Sequence, residues 1–489
     1  MEQQVITDML NLHLERNNLS KDGSRSWFVG GSLLGGRGLF ATTDIALGEL
    51  VFVDAPLVVG PRTRDKHLPL CIVCYKTGCP LFPCDKGCSL PICSSACELS
   101  VEHDAECSLL QAWKPTCGSS WSIDLLRALV PIRALLLDEQ QRDLLYTLQW
   151  HSGPQHGSEI DLLKSSIKIQ MNQIEEQFMR RVCAVMDTNS FETAAIVGES
   201  VTSLRGLYPM GALQNHCCTP NTRHYYDSQQ RLYVIAAIPI KKNEEITMTY
   251  TDLFWDTTLR RRHLAATKHF FCTCSRCTDP LENGSLLGAL RCARKECSGI
   301  LVAVEPLDTS TVWECRECGL RLKNRQIISI RSALGSIVEE MIYKSPKQML
   351  RFMKSELSVL VPATNYVAVD MKLRIISCLG RTEKFLWEDL TKDELSIKEK
   401  YCRDLLRLIE TLKCGECKMK GLISYELYST LMELNKRQFN DETNIEKSES
   451  QFQVNEESKN LLETAILILQ NDLTAPKDLL SLVSGMTKK

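Results

Sequence analysis

The chain has 489 residues, 44% of them hydrophobic, and a formal net charge of -2. That length suits two or three domains with sizeable cores, which excludes global disorder. The near-zero charge carries no polyanion signature, so direct, charge-driven nucleic-acid binding is not expected.

Residues 1–22 read as a short polar helix or arm. Their start, Met1-Glu2-Gln3-Gln4-Val5, lacks the basic-then-apolar order of a signal peptide. From Trp27 to Gly60 the pattern is strand-like: Gly30-Gly31, Gly35-Gly36 and Gly48-Glu49 punctuate short apolar runs such as Leu50-Val51-Phe52-Val53. A cysteine-dense block spans Cys71 to Cys107. Residues 120–185 carry helical periodicity, with Leu125, Leu126, Leu129, Ile132, Leu135 and Leu136 at spacings of three and four. Leu125 to Leu137 is also the best candidate for a membrane span, but Arg127 and Arg133 interrupt it, and it falls short of the roughly 20 residues a bilayer demands. Strand-like runs return at Leu232-Tyr233-Val234-Ile235 and at Ile246-Thr247-Met248-Thr249-Tyr250. Arg260-Arg261-Arg262 reads as the cationic end of a helix. Cysteines resume from Cys272 to Cys318. Beyond Leu320 the chain is mostly helical, with stripes such as Leu405, Leu406, Leu408 and Ile409, and suits a bundle or short solenoid. Within it, the acidic and polar stretch Asn440 to Asn460 reads as a loop between helices. A protein with no membrane contact, cytoplasmic and/or nuclear, is expected.

In a reducing compartment the 23 cysteines read as metal ligands where they cluster. Cys71-x2-Cys74, Cys84-x3-Cys88, Cys93-x3-Cys97 and His103-x3-Cys107 offer eight ligands in close pairs. Zinc takes four such ligands in a tetrahedron, so two ions are expected, holding together a segment too short for its own core. Cys79 is an extra thiol in this block. Cys292-x4-Cys297 and Cys315-x2-Cys318, near Gly299 and Gly319, read as a zinc ribbon, against four reduced thiols on two hairpins as the plainer alternative. Cys414-x2-Cys417 has no second pair nearby and reads as incidental. Cys183, Cys378 and Cys402 sit in apolar helical patterns and read as core thiols. Cys117 receives no assignment.

Asn215-His216-Cys217-Cys218-Thr219-Pro220-Asn221 is the most informative segment. Two amides and an imidazole can meet a polar ligand through fixed donors and acceptors, adjacent cysteines offer a soft metal ligand, and Pro220 fixes the backbone direction. In Gly36-Arg37-Gly38-Leu39-Phe40-Ala41 the glycines let backbone approach a ligand closely. The first segment resembles the Asn-His-Ser-Cys-x-Pro-Asn motif of SET-domain lysine methyltransferases, and the second resembles the turn that opens that domain. The spacing from Cys71 to Cys107 resembles the MYND zinc finger. Further likenesses follow in family order: Asn189-Ser190-Phe191, Gly206-Leu207-Tyr208-Pro209, Ala237-Ile238-Pro239-Ile240 with Asn243-Glu244-Glu245-Ile246, Thr249-Tyr250-Thr251-Asp252, and Phe270-Phe271-Cys272-x-Cys274-x2-Cys277. From roughly Trp27 to Glu282 the chain resembles the SET-and-MYND (SMYD) family. The later cysteine pairs resemble those of its arthropod-restricted branch.

The resemblance implies an α+β fold class: a SET-domain β-fold split by a MYND zinc finger, followed by a post-SET zinc segment, a zinc-ribbon-like segment and an all-α C-terminal domain. The corresponding divisions are 1–22 for the arm, 23–70 for the first part of the SET domain, 71–107 for the finger and 108–260 for the helical insert and catalytic core. Residues 261–282 form the post-SET segment, 283–322 the ribbon and 323–489 the helical domain. The implied activity is S-adenosylmethionine-dependent N-methylation of lysines on histone or non-histone proteins. Tyr250 maps to the catalytic tyrosine and Phe191 to a wall of the lysine channel, while Arg37, Gly38, Asn215, His216 and Phe270 map to cofactor contacts. The family's interleaved finger gives one zinc to Cys71, Cys74, Cys93 and Cys97, and a second to Cys84, Cys88, His103 and Cys107. Cys218 joins Cys272, Cys274 and Cys277 around a third. Cys292, Cys297, Cys315 and Cys318 would hold a fourth. The implied partners are a protein substrate bearing a lysine and proline-rich peptides at the finger, with the chain a monomer. Four positions depart from the family: Ser100 for Trp, Cys217 for Ser, Asn243 for Gly, and Lys268 for a second aromatic. They leave a second reading, a weak or inactive SET-MYND scaffold acting in transcriptional regulation through protein contacts.

Overall fold

The computed structural model describes residues 2–20, 25–62, 69–113, 121–151, 153, 156–198, 200–441 and 456–486. Cys117 and the centre of the Asn440–Asn460 stretch lie outside the described residues. The chain forms two compact units, one of residues 1–215, 224–246 and 471–473, the other of 216–223, 247–470 and 474–489.

In the first unit α1 (Gln3–Arg16) precedes the strands β1 (Trp27–Gly31), β2 (Arg37–Ala41), β3 (Leu50–Asp54) and β4 (Val58–Pro61). The cysteine-dense block follows as a ribbon of β5 (Phe82–Pro83) and β6 (Pro91–Ile92) with α2 (Ser95–Glu98) and α3 (Val101–Ala112). Next come α4 (Leu129–Ala134), α5 (Glu139–Thr147), α6 (Ser158–Ile167) and α7 (Gln173–Asn189), then β7 (Phe191–Val197), β8 (Ser200–Leu207), β9 (Thr222–Tyr226), β10 (Leu232–Ala236) and β11 (Glu245–Ile246). Three small sheets result, ordered β1-β2-β11, β3-β10-β9 and β4-β8-β7. Their buried faces, with Trp27, Val29, Leu39, Phe52, Val58, Leu207, Val234 and Ile246, close one apolar core. Leu136, expected on the helical stripe, lies beyond the end of α4 and is exposed.

Residues 1–22 do more than the expected arm. Ile6, Leu10 and Leu14 repeat every four residues along α1 and enter the same core. His13 on that face sets Nε2 3.2 Å from Asp54 Oδ1 and 3.0 Å from Ala55 O. The other oxygen of Asp54 accepts the N–H groups of Met210 (2.8 Å) and Gly211 (3.0 Å). The helix therefore supports the backbone a few residues ahead of the Asn215 segment.

A second cluster, containing Cys71, Cys84, Cys88, Leu110, Trp113, Leu129 and Ile132, joins the cysteine-dense block to α4. Arg133 fastens the two together. Its guanidinium donates to Val59 O (2.7 Å), to Ile72 O (2.9 Å) and to the Tyr75 hydroxyl, and it pairs with Glu106, which is only 3% exposed. Arg133→Met would strand the Glu106 carboxylate in the interior. We expect this to destabilise the unit by about 3–5 kcal/mol, read as a lowered urea midpoint by tryptophan fluorescence.

The second unit begins its regular structure with α8 (Thr257–Lys268) and α9 (Ser275–Thr278). An antiparallel meander follows: β12 (Leu290–Arg291), β13 (Ile300–Ala303), β14 (Trp313–Cys315) and β15 (Arg321–Leu322). The remainder is helical: α10 (Asn324–Met341), α11 (Pro346–Phe352), α12 (Ser358–Leu360), α13 (Tyr366–Cys378), α14 (Lys392–Leu412), α15 (Lys418–Asp441), α16 (Glu456–Leu469) and α17 (Lys477–Met486). The stripe on α14 buries Leu405, Leu408 and Ile409. Helix occupies both ends of the polar Asn440–Asn460 stretch, since α15 runs to Asp441 and α16 starts at Glu456. Cys183 and Cys402 are core thiols, whereas Cys378, at the end of α13, is only half-buried. Among the described residues, no helix is long and apolar enough to cross a membrane.

Candidate functional site and metal centres

Among the described residues, four groups of ligand atoms converge, each with its atoms within 4.8 Å of one another: Cys71, Cys74, Cys93 and Cys97; Cys84, Cys88, His103 and Cys107; Cys218, Cys272, Cys274 and Cys277; Cys292, Cys297, Cys315 and Cys318. Zinc–sulfur bonds of about 2.3 Å in a tetrahedron require sulfurs about 3.8 Å apart, whereas a disulfide would set them near 2 Å. The observed separations are 3.6 Å for Cys74–Cys93, 3.9 Å for Cys84–Cys107, 3.5 Å for Cys218–Cys277 and 3.7 Å for Cys297–Cys315. His103 Nε2 lies 3.2 Å from Cys84 Sγ and 3.7 Å from Cys88 Sγ, and burial lowers its pKa, favouring the neutral imidazole that a metal needs. Each group can hold a zinc ion. Local structure presents the ligands: Ser94 caps the helix of Cys97, and Ser100 caps α3, which carries His103 and Cys107 one turn apart on one face. Ser100, the position of the family's Trp, is thus a helix cap. Cys79 stays outside the tetrads and approaches Lys76 O instead. Cys414 and Cys417 join no such group among the described residues.

In the second unit, residues 216–221 lie against residues 247–250. The sequence Ile246–Tyr250, expected as one strand, pairs with β2 only at Glu245–Ile246. Its continuation turns to the Asn-His segment. Met248 bridges His216 in parallel, Cys217 N–H donates to Met248 O (2.9 Å), and Thr247 N–H donates to Asn221 Oδ1 (2.8 Å). Asn221 thus serves the backbone of this crossing.

His216 is 4% exposed, and burial depresses its pKa to about 4, so the ring is neutral. A neutral imidazole carries one N–H. Nδ1 accepts the backbone N–H of Tyr250 at 3.0 Å, so the proton resides on Nε2, which donates to Cys218 Sγ at 3.2 Å. The ring also stands 5.3 Å from Tyr250 and 6.1 Å from Phe270, centroid to centroid. Lys268 Nζ sits over the Tyr250 ring at 5.4 Å, where an aromatic was expected. Cys217 neighbours Cys274, but its sulfur is not among the four mutually close ones.

Arg260 and Arg261 correct the expectation of a helix end. They occupy the middle of α8 and are buried. Arg260 Nε donates to Cys218 Sγ at 3.1 Å and Nη2 approaches Cys277 Sγ at 3.5 Å. Arg276, also fully buried, donates to Cys218 O at 3.2 Å. Glu282 is close to both guanidinium groups, at 2.7 and 3.5 Å. Glu282 is the one carboxylate in ion-pair range of both cations among the described residues, and a single such partner leaves the pair under-compensated. Thiolates around a metal supply the missing negative charge, an independent sign that this tetrad suits zinc.

In the first unit, Gly38 faces Gly30 across β1 and β2. A Cβ there would fall 2.3 Å from Glu245 Oε1 and 2.9 Å from Asn215 Nδ2, so any side chain would displace the Glu245 and Asn215 head groups. Asn215 Nδ2 donates to Arg37 O (2.9 Å) and to Glu245 Oε1 (2.7 Å), while Ser32 Oγ donates to Glu245 Oε2 (2.8 Å). Both amide hydrogens of Asn215 are spent, so a ligand would meet its Oδ1 or its main chain. The Arg37 guanidinium turns to Thr147 O (2.6 Å). Phe191 packs edge-on against Tyr208 (5.6 Å) and His224 (6.1 Å), and Tyr226 lies against both of these rings. Gly211, held by Asp54, leaves room for the Phe191 ring, which a Cβ would approach to 3.0 Å. His224 and Tyr226 were not singled out in the sequence, although the aromatic run His224-Tyr225-Tyr226 begins three residues after Asn221, the end of the Asn-His segment.

A model of the SET domain matches residues 36–251. The SET domain-containing protein SmydA-8, isoform B, of Drosophila melanogaster is 33% identical over 436 residues, covering 87% of this chain and 95% of that protein. Histone-lysine N-methyltransferase ASHR1 of Arabidopsis thaliana is 25% identical, covering 62% of this chain and 66% of its own. Histone-lysine N-methyltransferase SMYD3 of Mus musculus is 26% identical, covering 57% and 68%.

Proposed function

The chain belongs to the SMYD family of SET-domain proteins, and on that premise we propose that it is an S-adenosylmethionine-dependent protein-lysine N-methyltransferase acting on histone or non-histone lysines. The observation that supports this best is the setting of Tyr250, whose backbone is held by a neutral, buried His216 that in turn rests on Cys218. Relatives bearing the name histone-lysine N-methyltransferase support the same reading.

Bound S-adenosylmethionine supplies a methyl group on a sulfonium, open to in-line displacement by a neutral lysine amine. Everything else falls to the chain. Gly38, Asn215, His216 and Phe270, with the backbone at Arg37, would hold the cofactor in one pose, so that most of the entropy cost is met on binding. Phe191, backed by Tyr208, would exclude water from the lysine side chain, which disfavours its ammonium form and promotes loss of a proton to solvent. The Tyr250 hydroxyl would orient the amine toward the methyl group. The Cys218 tetrad would hold zinc beneath His216, and the finger tetrads, braced by Arg133, would serve as structure. Loaded protein should then carry four zinc ions, one for each ligand group.

Calorimetric titration with S-adenosylhomocysteine tests the reading against that of an inactive scaffold. Saturable, one-to-one binding is expected. No heat and no thermal stabilisation by the ligand would favour the scaffold.

A further inference from the structure

The geometry points to a relay in which the metal at Cys218, Cys272, Cys274 and Cys277 sets the position of the Tyr250 backbone, with His216 as the connecting residue and Arg260 as the counter-charge. The tautomer argument gives the direction. His216 has one proton and two occupied nitrogens: Nδ1 must accept from Tyr250 N–H, and Nε2 must donate to Cys218 Sγ. Cys218 Sγ therefore acts as an acceptor toward His216. It is an acceptor a second time, because Arg260 Nε can only donate. A metal held by the tetrad would fix this sulfur in place between its two N–H donors. Without the metal, the Cys218 sulfur is released from the tetrahedral position in which it meets both donors. The ring of His216 then loses its anchor on one side and holds Tyr250 less firmly on the other. His216 and Arg260 are positioning residues in this scheme: neither needs to touch the reacting atoms for it to operate.

The inference rests on the reading of Tyr250 as the methyl-transfer tyrosine for its consequence, but its test does not involve turnover. Hydrogen exchange at the Tyr250 amide is followed by mass spectrometry with fragment resolution in the full-length, zinc-loaded chain. Cys272→Ser removes a ligand without altering His216, Cys218 or Tyr250. It is expected to raise Tyr250 amide exchange about tenfold, the loss of one well-anchored hydrogen bond, and to leave β13 and β14 unchanged. The same change at the ribbon, Cys315→Ser, should leave Tyr250 untouched. Should Cys272→Ser not fold, Arg260→Gln keeps all four thiols and is expected to speed both zinc transfer to a chromophoric chelator and Tyr250 exchange, with Arg260→Lys restoring part of each. His216→Asn keeps an acceptor for Tyr250 but cannot reach Cys218. In that background Tyr250 exchange should no longer depend on Cys272. Unchanged Tyr250 exchange on loss of this zinc, or an equal zinc dependence in His216→Asn, overturns the relay. Either result leaves cofactor binding and catalysis to be judged on their own assays.

Discussion

Replacing Tyr250 with Phe is expected to lower methyl transfer by a factor of about 100 or more, the usual cost of losing one oriented polar group at a reacting centre. The substitution removes one oxygen. The ring remains, so its packing against His216 at 5.3 Å and its contact with Lys268 at 5.4 Å remain too. The bond to His216 Nδ1 comes from the Tyr250 backbone and is independent of the side chain. Fold, zinc content and binding of S-adenosylhomocysteine should therefore match the parent. Labelled cofactor applied to a proteome extract, parent against Tyr250→Phe, reads the effect and displays the substrate bands at the same time. Near-normal labelling by the variant would sink the catalytic assignment, and retained cofactor binding shows that the loss lies in the chemical step.

What the sequence disclosed about the site followed how local each interaction is. The close ligand pairs of the finger and ribbon were legible because each pair offers two corners of a tetrahedron, whereas which finger pairs share an ion came only from the resemblance to the MYND finger. The grouping of Cys218 with Cys272, Cys274 and Cys277 bridges more than fifty residues, and only the resemblance to SET domains pointed to it. Arg260 was misread for an identifiable reason. A triple arginine looks like the cationic end of a helix, and the spacing alone does not say that this face of α8 meets a cluster of cysteines. A signal was nevertheless present: Thr257, Arg260, Arg261 and Leu264 recur at helical spacing and are the residues α8 buries, so arginine stands at core positions. The stripe of Ile6, Leu10 and Leu14 on α1 was diluted by Val5 and Leu12, which face outward at 40% and 50% exposure. The run 246–250 has strand-like composition, but its partner after Ile246 is an irregular segment from elsewhere in the sequence, and periodicity carries no information about partners.

Adjacent cysteines at 217 and 218 allow two ligand assignments, and serine substitutions separate them. Cys218→Ser is expected to lower the zinc content by one ion per chain. Serine gives neither the thiolate nor the bond length that zinc requires, and three cysteines do not close a structural site. The penalty extends past the metal. His216 Nε2 and Arg260 Nε both donate to the Cys218 sulfur, at 3.2 and 3.1 Å. Loss of the tetrathiolate leaves Arg260 and Arg276, each fully buried, with Glu282 as the carboxylate in ion-pair range of both. An uncompensated buried cation costs about 3–5 kcal/mol, so a marked fall in melting temperature should accompany the lost ion. Cys217→Ser should retain every zinc ion and nearly all stability, because the Cys217 sulfur stands outside the tetrad and its main chain, bonded to Met248 O at 2.9 Å, is unchanged. Atomic emission on the two purified variants decides the matter. Loss of zinc in Cys217→Ser with retention in Cys218→Ser would reverse the assignment. It would also remove the thiolate on which the His216 and Arg260 bonds depend, so the metal ligand and the two donors stand or fall together.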